Sequence, residues 1–147
     1  MRVNILFDTS FLVEIDRKNP KAIELAKLLT SLDYTFWIST ITVAEIMVGM
    51  NLSKNYQKSH ENGTFLLSQF NWFEFNGTAA AKTSQIISDL RLDGKTIEFQ
   101  DASIAASALI LSAEYLITQN KNDFSQVSSL ESKVFTIDEL LRKLKKK

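Results

Sequence analysis

Val3-Asn4-Ile5-Leu6-Phe7-Asp8-Thr9-Ser10 is a short apolar run that ends in a carboxylate and two hydroxyl residues. An apolar run of this length is typical of a buried strand. The following Phe11-Leu12-Val13 predicts a helix capped by Thr9 or Ser10, since hydroxyl oxygens accept hydrogen bonds from the free N–H groups of a first turn. Asp8 is therefore predicted at the carboxyl end of a central strand, where open α/β sheets bind their ligands. Taken alone, Asp8 is explained equally well as a helix cap.

Composition restricts the chemistry that the chain can perform. The 147 residues, 45% hydrophobic and 23% charged, predict one globular domain over residues 1–147. The sequence has no cysteine, which excludes disulfides and thiolate chemistry, and its single histidine, His60, lies in a polar stretch typical of a surface. Catalysis would therefore have to rest on carboxylates, hydroxyls and amines.

Charge balance and the lengths of the apolar runs bear on partners and location. The 17 basic and 17 acidic residues give a net charge of zero, which argues against a bulk field that would hold long duplex nucleic acid. No apolar run approaches the roughly 20 residues of a transmembrane helix. Asp8 also interrupts the first apolar run, unlike the pattern of a signal peptide. We therefore expect no membrane association and a cytoplasmic location.

Strand and helix patterns alternate along the rest of the sequence. Further strands are predicted at residues 35–40, 72–75, 115–118 and 134–137. Helices are predicted from residues 11–15 to an end near Asn19-Pro20, at 22–32, 43–49 with Thr40 or Thr42 as cap, 53–70 either whole or broken at Asn62-Gly63, 78–92, from 101 and from 138. This order predicts an α/β sandwich with a mainly parallel central sheet of about five strands and flanking helices.

Acidic residues follow the ends of these predicted strands. Glu45 lies early in the helix after the second strand, Asp101 begins an alanine-rich helix, and Asn120 and Asp123 follow the strand at 115–118. Together with Asp8 they are expected at one edge of the sheet, where closely packed carboxylates repel each other unless a cation neutralises them. Oxygen ligands favour Mg²⁺ or Mn²⁺. Such a site is suited to hydrolysis of phosphodiester bonds.

Four short motifs carry a resemblance to a known family. They are Leu6-Phe7-Asp8-Thr9-Ser10, Thr42-Val43-Ala44-Glu45-Ile46, Asp101-Ala102-Ser103-Ile104-Ala105-Ala106 and Leu116-Ile117-Thr118-Gln119-Asn120-Lys121-Asn122-Asp123-Phe124. In this order the set resembles PIN-domain ribonucleases, particularly toxins of the VapC type, over nearly the whole chain. The resemblance implies a PIN-like three-layer sandwich and an endoribonuclease that uses Mg²⁺ or Mn²⁺ to cut single-stranded or looped RNA. It also implies a homodimer that a cognate antitoxin protein holds inactive.

The resemblance assigns roles to the three principal acids. Asp8, Glu45 and Asp101 correspond to the core metal ligands. Asp8 and Asp101 would hold the principal ion, and Glu45 would bind it through water or direct the attacking water. Water rather than the ribose 2′-hydroxyl would be the nucleophile, so the products would carry a 5′-phosphate and a 3′-hydroxyl.

The fourth acidic position is less uniform. The family often has Asp where this chain has Asn120, whereas Asp123 matches the Asp-Phe pair of the family. Either residue could therefore complete the catalytic set, and the number of ions, one or two, stays open. By the same resemblance Ser10 or Thr9 would position the phosphate or a water, and Glu98 is a possible additional acid.

Two other interpretations of the sequence compete with the nuclease. A haloacid-dehalogenase-like phosphatase would use Asp8 as a covalent nucleophile, but that family has a second Asp where Ser10 stands. A PIN-like module without catalysis would only bind RNA or a partner protein. Trapping of an aspartyl-phosphate would identify the first, and the absence of both cleavage and Mn²⁺-dependent stabilisation would identify the second.

Overall fold

The computed structural model describes residues 2–146. The strands are β1 (Val3–Phe7), β2 (Tyr34–Ser39), β3 (Asn71–Phe73), β4 (Tyr115–Ile117) and β5 (Val134–Phe135). The α-helices are α1 (Thr9–Asp16), α2 (Pro20–Thr30), α3 (Thr40–Leu52), α4 (Tyr56–Ser68), α5 (Gly77–Leu92), α6 (Phe99–Ile110), α7 (Lys121–Ser125) and α8 (Ile137–Lys145), and a 3₁₀ helix covers Ser128–Lys133. No helix within this range is long and apolar enough to cross a bilayer.

The five strands form one sheet in the order β3-β2-β1-β4-β5, and every neighbouring pair is parallel. β1 lies at the centre, where Ile5 is in register with Phe36 of β2 and Tyr115 of β4. The α/β fold with a five-stranded sheet is confirmed, and the sheet is parallel throughout rather than mainly so. The carboxyl ends of all five strands therefore lie along one edge.

Helices cover both faces of the sheet, which confirms the three-layer sandwich. Because side chains alternate along a strand, Ile5 and Phe7 pack into one core with apolar residues of α1, α2 and α8. Leu6 packs on the opposite face against the apolar residues of α5 and α6. Ile5, Leu6 and Phe7 are almost fully buried, so the central strand that carries Asp8 at its end is held from both faces of the sheet.

The start of α1 differs from the prediction. Asp8 is the N-cap residue, but its side chain makes no capping hydrogen bond, while Thr9 and Ser10 are the first two residues of the helix. The predicted cap by Thr9 or Ser10 is wrong, and so is the explanation of Asp8 as a mere cap. The physical reason is that the two hydroxyls bond side chains of other elements, and these bonds are described with the site.

The starts of two later helices also differ from the prediction. Ser39 caps α3 by accepting from the Ile41 N–H at 3.0 Å, so the predicted cap by Thr40 or Thr42 is wrong. The reason is that β2 ends one residue earlier than predicted. α6 begins at Phe99 instead of Asp101, which makes Glu98 its N-cap.

α4 is a single helix that passes through Asn62-Gly63 without a break. Gly63 is buried in its interior and lies against the side chain of Met50 on α3. The glycine therefore allows two helices to approach closely and does not mark a turn.

Candidate functional site

The four predicted acids lie on segments that start at the carboxyl edge of the sheet. Asp8 directly follows the central strand β1, and Glu45 lies in α3, which follows β2. Asp101 is in the first turn of α6, and Asp123 is in the first turn of α7, which follows β4. The parallel sheet thus brings together residues that are far apart in the sequence.

Asp8 is buried, with 3% of its surface exposed, and is held by two hydroxyls. Ser10 Oγ and Thr118 Oγ1 both donate to Asp8 Oδ2 at 2.8 Å. These hydroxyls in turn accept from the backbone N–H groups of Gln119 and Asn120 at 2.9 Å. Neither hydroxyl donates to Oδ1, so that oxygen of a well-oriented carboxylate stays available to a ligand.

Thr9 holds the second acid. Its Oγ1 donates to Glu45 Oε1 at 2.6 Å and lies 3.0 Å from Thr42 Oγ1, one turn earlier on α3. Glu45 is an exposed residue, so this short hydrogen bond restrains a carboxylate that would otherwise move freely in solvent. This hydrogen bond joins α1 to α3. The two predicted accessory residues with hydroxyls, Thr9 and Ser10, thus each contact an acid of the site.

Asp101 shows how close the acids are to one another. Its pKa is raised from 3.8 to about 6, first by burial and then by the negative charges of Asp8, Asp123, Glu45 and Glu98, in that order of size. A carboxyl with such neighbours holds its proton because its ionised form is repelled from several sides. The site is therefore a convergence of five carboxylates on the first turn of α6.

The segment after β4 forms the open side of the site. Gln119, Asn120, Lys121, Asn122 and Asp123 line a groove of about 370 Å³. Asn120 is the N-cap of α7, without a side-chain capping bond, and Asp123 is exposed. The side-chain amide of Asn120 is thus not engaged in capping, so both residues that could fill the fourth position lie on this groove.

Lys121 is the basic residue of that segment, and its ammonium is paired with another acid. Its Nζ donates to Glu139 Oε2 at 2.7 Å, and this bond lowers the pKa of the Glu139 carboxyl. The backbone N–H of Thr136 also donates to Glu139, in the capping box of α8. The charge of Lys121 is therefore largely committed to Glu139 and does little to neutralise the acids at Asp101.

The donor set fits a hard divalent cation. The charged neighbours of Asp101 are the carboxylates of Asp8, Asp123, Glu45 and Glu98, and their mutual repulsion is relieved when a dication binds. Within residues 2–146, no three or more Asp, Glu or His side chains are close enough together to hold a metal ion as they stand. Because carboxylates repel each other in the absence of a cation, the chemistry of the donors is the better guide to the fit than their spacing.

Thr118 and Thr42 take part in the site but were not among the predicted site residues. Thr118 is fully buried and donates to Asp8 across 110 positions of sequence. One signal was available: Thr118 ends the apolar run Tyr115-Leu116-Ile117 with a polar side chain, just as Asp8 ends the first strand. His60, in contrast, lies on α4 with its Nε2 at 3.0 Å from Asn51 Oδ1.

The sequence model of the PIN domain matches residues 5–130. Plasmid stability protein StbB of Pseudomonas syringae pv. tomato is 33% identical over 111 residues, which cover 71% of this chain and 80% of that protein. Ribonuclease VapC2 of Rickettsia felis is 25% identical over 125 residues, covering 85% of this chain and 92% of that protein.

A solved structure gives an independent comparison of the fold. The crystal structure of VapBC2 from Rickettsia felis bound to a DNA fragment from their promoter matches with a TM-score of 0.81 and 22% sequence identity. The match covers 91% of this chain and 98% of the chain in that complex. The two proteins therefore share one fold over almost their full compared lengths.

Proposed function

The chain belongs to the PIN-domain family, as a VapC-like member, and on this premise we propose that it is an endoribonuclease toxin. It would hydrolyse phosphodiester bonds of single-stranded or looped RNA with the help of Mg²⁺ or Mn²⁺. An RNA substrate of this kind would place the activity in the cytoplasm.

One observation supports this function above the others. Burial and, after it, the charges of four carboxylates raise the pKa of Asp101, so the carboxyl edge of the sheet concentrates negative charge that a bound cation would neutralise. A structural role alone gives no reason to collect so many acids at one point, since their repulsion destabilises the fold. An acid whose pKa is perturbed by burial and by specific charged neighbours is a candidate functional residue.

We assign the site residues as follows. Asp8, Glu45 and Asp101 would hold the ion, and Asp123 would complete the catalytic set, with Asn120 as the other residue available for that position. A bound divalent ion supplies charge neutralisation at the phosphate and activation of water. Asn120 has a carbonyl oxygen that suits the same role, while Glu98 is an additional acid at the start of α6.

The hydroxyl residues have separate tasks in this proposal. Ser10 fixes the orientation of Asp8, and Thr9 fixes Glu45 so that its free oxygen can accept a proton from the attacking water. Attack by water would leave a 5′-phosphate and a 3′-hydroxyl.

We further propose an antitoxin partner and a homodimer. The similar structure from Rickettsia felis is a VapBC complex. Several large apolar side chains on α3 and α4 are exposed and would suit such contacts: Met47, Val48, Leu52, Tyr56 and Phe65. Light scattering of the chain alone and after mixing with the protein encoded beside it would test both partners.

The nuclease is tested by incubating the purified chain with total RNA in Mn²⁺ and in EDTA. We expect cleavage only with Mn²⁺, and we expect Asp8→Asn to reduce its rate by about 10²-fold or more because the carboxylate charge is lost. Asp16→Asn, an exposed acid at the other end of α1, is the matched control and should cleave as the wild type does.

The outcomes separate the competing functions. Equal cleavage by wild type and Asp8→Asn would contradict the proposed site. If no RNA is cut and Mn²⁺ does not raise the thermal stability, the chain is a binding module. Trapping of an aspartyl-phosphate at Asp8 would instead identify a phosphatase.

A further inference from the structure

Two phenylalanines, one half-buried and one exposed, form an aromatic pair beside the acidic site. Phe75 follows β3, and Phe99 is the first residue of α6. Their ring centroids are 6.0 Å apart and their planes meet at 62°, an edge-to-face arrangement. Phe99 keeps 52% of its surface exposed although Phe75 packs against it. An apolar ring held in place and left half open is a surface on which a flat ligand can stack.

The pair lies at the same edge of the sheet as the acids. The backbone N–H of Phe75 donates to Thr40 Oγ1 at 3.1 Å, which ties it to the first residue of the helix that carries Glu45. Phe99 follows Glu98 and precedes Asp101 by two residues, in the same first turn of α6. Residues two apart point to different sides of a helix, but both lie in its first turn, so a strand of nucleic acid with one phosphate at Asp101 would bring the base of a neighbouring nucleotide to Phe99.

The charge of this edge restricts what can attract such a strand. The carboxylates around Asp101 repel phosphates, and the ammonium of Lys121 is paired with Glu139. Apart from the phosphate at a bound dication, phosphate contacts, which supply most of the affinity in many nucleic-acid complexes, are therefore weak here. Stacking of bases on aromatic rings does not depend on charge and is available at Phe99.

We propose that Phe99 stacks an unpaired base of the RNA next to the scissile phosphate, and that Phe75 holds the ring in place. This inference rests on the proposed nuclease function and assigns to it a residue for substrate binding. Base-paired RNA has no free base face to offer at this point, so the pair also selects single-stranded segments.

The test uses the full chain and a pool of short fluorescein-labelled RNAs of random sequence. Binding is measured by fluorescence anisotropy in EDTA, and cleavage is measured with Mn²⁺. We expect Phe99→Ala to weaken binding about tenfold and to raise KM by a similar factor with kcat nearly unchanged, as loss of one stacked base does. Phe99→Trp keeps an aromatic ring and should have the binding affinity and the KM of the wild type. Leu92 is an exposed apolar residue at the end of α5, and Leu92→Ala, the control, should behave as the wild type.

A backbone of abasic ribonucleotides makes the test specific for stacking. The wild type should bind it about tenfold more weakly than the random pool, and Phe99→Ala should bind both alike. Equal losses on both probes, or no loss at all, would overturn the proposal. So would a change of oligomeric state in Phe99→Ala, measured by light scattering, because the pair would then be a protein contact.

The failure of this inference is distinguishable from that of the nuclease. A wild type that cleaves RNA while Phe99→Ala cleaves with the same KM contradicts the stacking role alone. A wild type that binds the pool through Phe99 without cutting it contradicts the catalytic function and supports the stacking role. A wild type that neither binds nor cuts overturns both.

Discussion

Asp8 is oriented by hydroxyl groups and not by a cation. Ser10 and Thr118 both donate to the same oxygen of its carboxylate. A lysine or arginine in their place would fix the side chain as well, but it would cancel the negative charge that a metal ion needs. Neutral donors give geometry and keep the charge, which is the arrangement expected of a metal ligand that must be preorganised.

The role of Thr118 as a positioning residue is testable with a substitution of nearly equal shape. We expect Thr118→Val to raise the Mn²⁺ concentration needed for half-maximal cleavage by about 10–100-fold, the usual scale for a residue that orients a metal ligand. Thr118→Ser keeps the hydroxyl and should retain most of the affinity for Mn²⁺. Titration of RNA cleavage with Mn²⁺ measures the effect.

A structural effect of the same substitution must be distinguished from the positioning role. Thr118 also accepts from the Asn120 N–H, so its loss affects the loop as well. Thermal unfolding of both variants is the control. If Thr118→Ser loses as much Mn²⁺ affinity as Thr118→Val, the hydroxyl does not act on the metal site.

At the scale of elements, the sequence predicted the five strands and every α-helix except α7, but not all of their ends. The predicted strand at 134–137 is two residues shorter in the structure, because Thr136 leaves the sheet to form a capping box with Glu139. Thr118 and Asp8 could not be paired from the sequence, since no local pattern relates residues 110 positions apart. The spacing of apolar residues predicts where helices and strands lie, whereas contacts between hydroxyls and acids depend on the assembled sheet.

The close packing of α3 and α4 predicts opposite results for two glycines in helix interiors. A Cβ at Gly63 would lie 2.5 Å from Met50 Sδ and 2.7 Å from its Cγ, whereas a Cβ at Gly49 would meet nothing within 4 Å. We expect Gly49→Ala to stabilise the fold by about 0.5–1 kcal/mol, since alanine has the higher helix propensity. Gly63→Ala should be less stable than Gly49→Ala by about 1–3 kcal/mol because of overpacking.

Urea unfolding of the two alanine variants checks this difference. Met50→Ala combined with Gly63→Ala is a useful control, because the space left by the shorter side chain should reduce the penalty of the added methyl group. Equal stability of the two single variants would show that Met50 moves aside without cost and that the approach of α3 to α4 does not depend on Gly63.

At the scale of the whole molecule, one topological property positions the site. The five strands are all parallel, so segments separated by most of the chain start their helices at the same edge. The sequence predicted this edge from the positions of the acids after strands. It could not predict the orientation of each carboxylate, which depends on buried partners such as Thr118 and on the packing of α6 against the helices beside it.

The concentration of acids at that edge makes the stability of the metal-free protein depend on pH. The pKa of Asp101 is raised from 3.8 to about 6, so the folded state binds more protons than the unfolded state between these values. Its contribution therefore destabilises the fold as pH rises through this window, and the full penalty remains above about pH 6. We expect Asp101→Asn in EDTA to be more stable than wild type at pH 7.5 by about 1–2 kcal/mol, a figure reduced for solvent near the half-buried carboxyl, and equally stable near pH 4.

Divalent metal reverses the order of the two proteins in this prediction. A cation that binds only the folded state stabilises wild type in proportion to the logarithm of its concentration, whereas Asp101→Asn has lost a ligand and should gain little. At pH 7.5 we therefore expect Asp101→Asn to have the higher unfolding temperature at low Mn²⁺, and wild type to have the higher one at high Mn²⁺. Parallel curves for the two proteins at all pH values and Mn²⁺ concentrations would show that the acids around Asp101 neither repel one another nor share an ion, and the metal-dependent site would then have no physical basis.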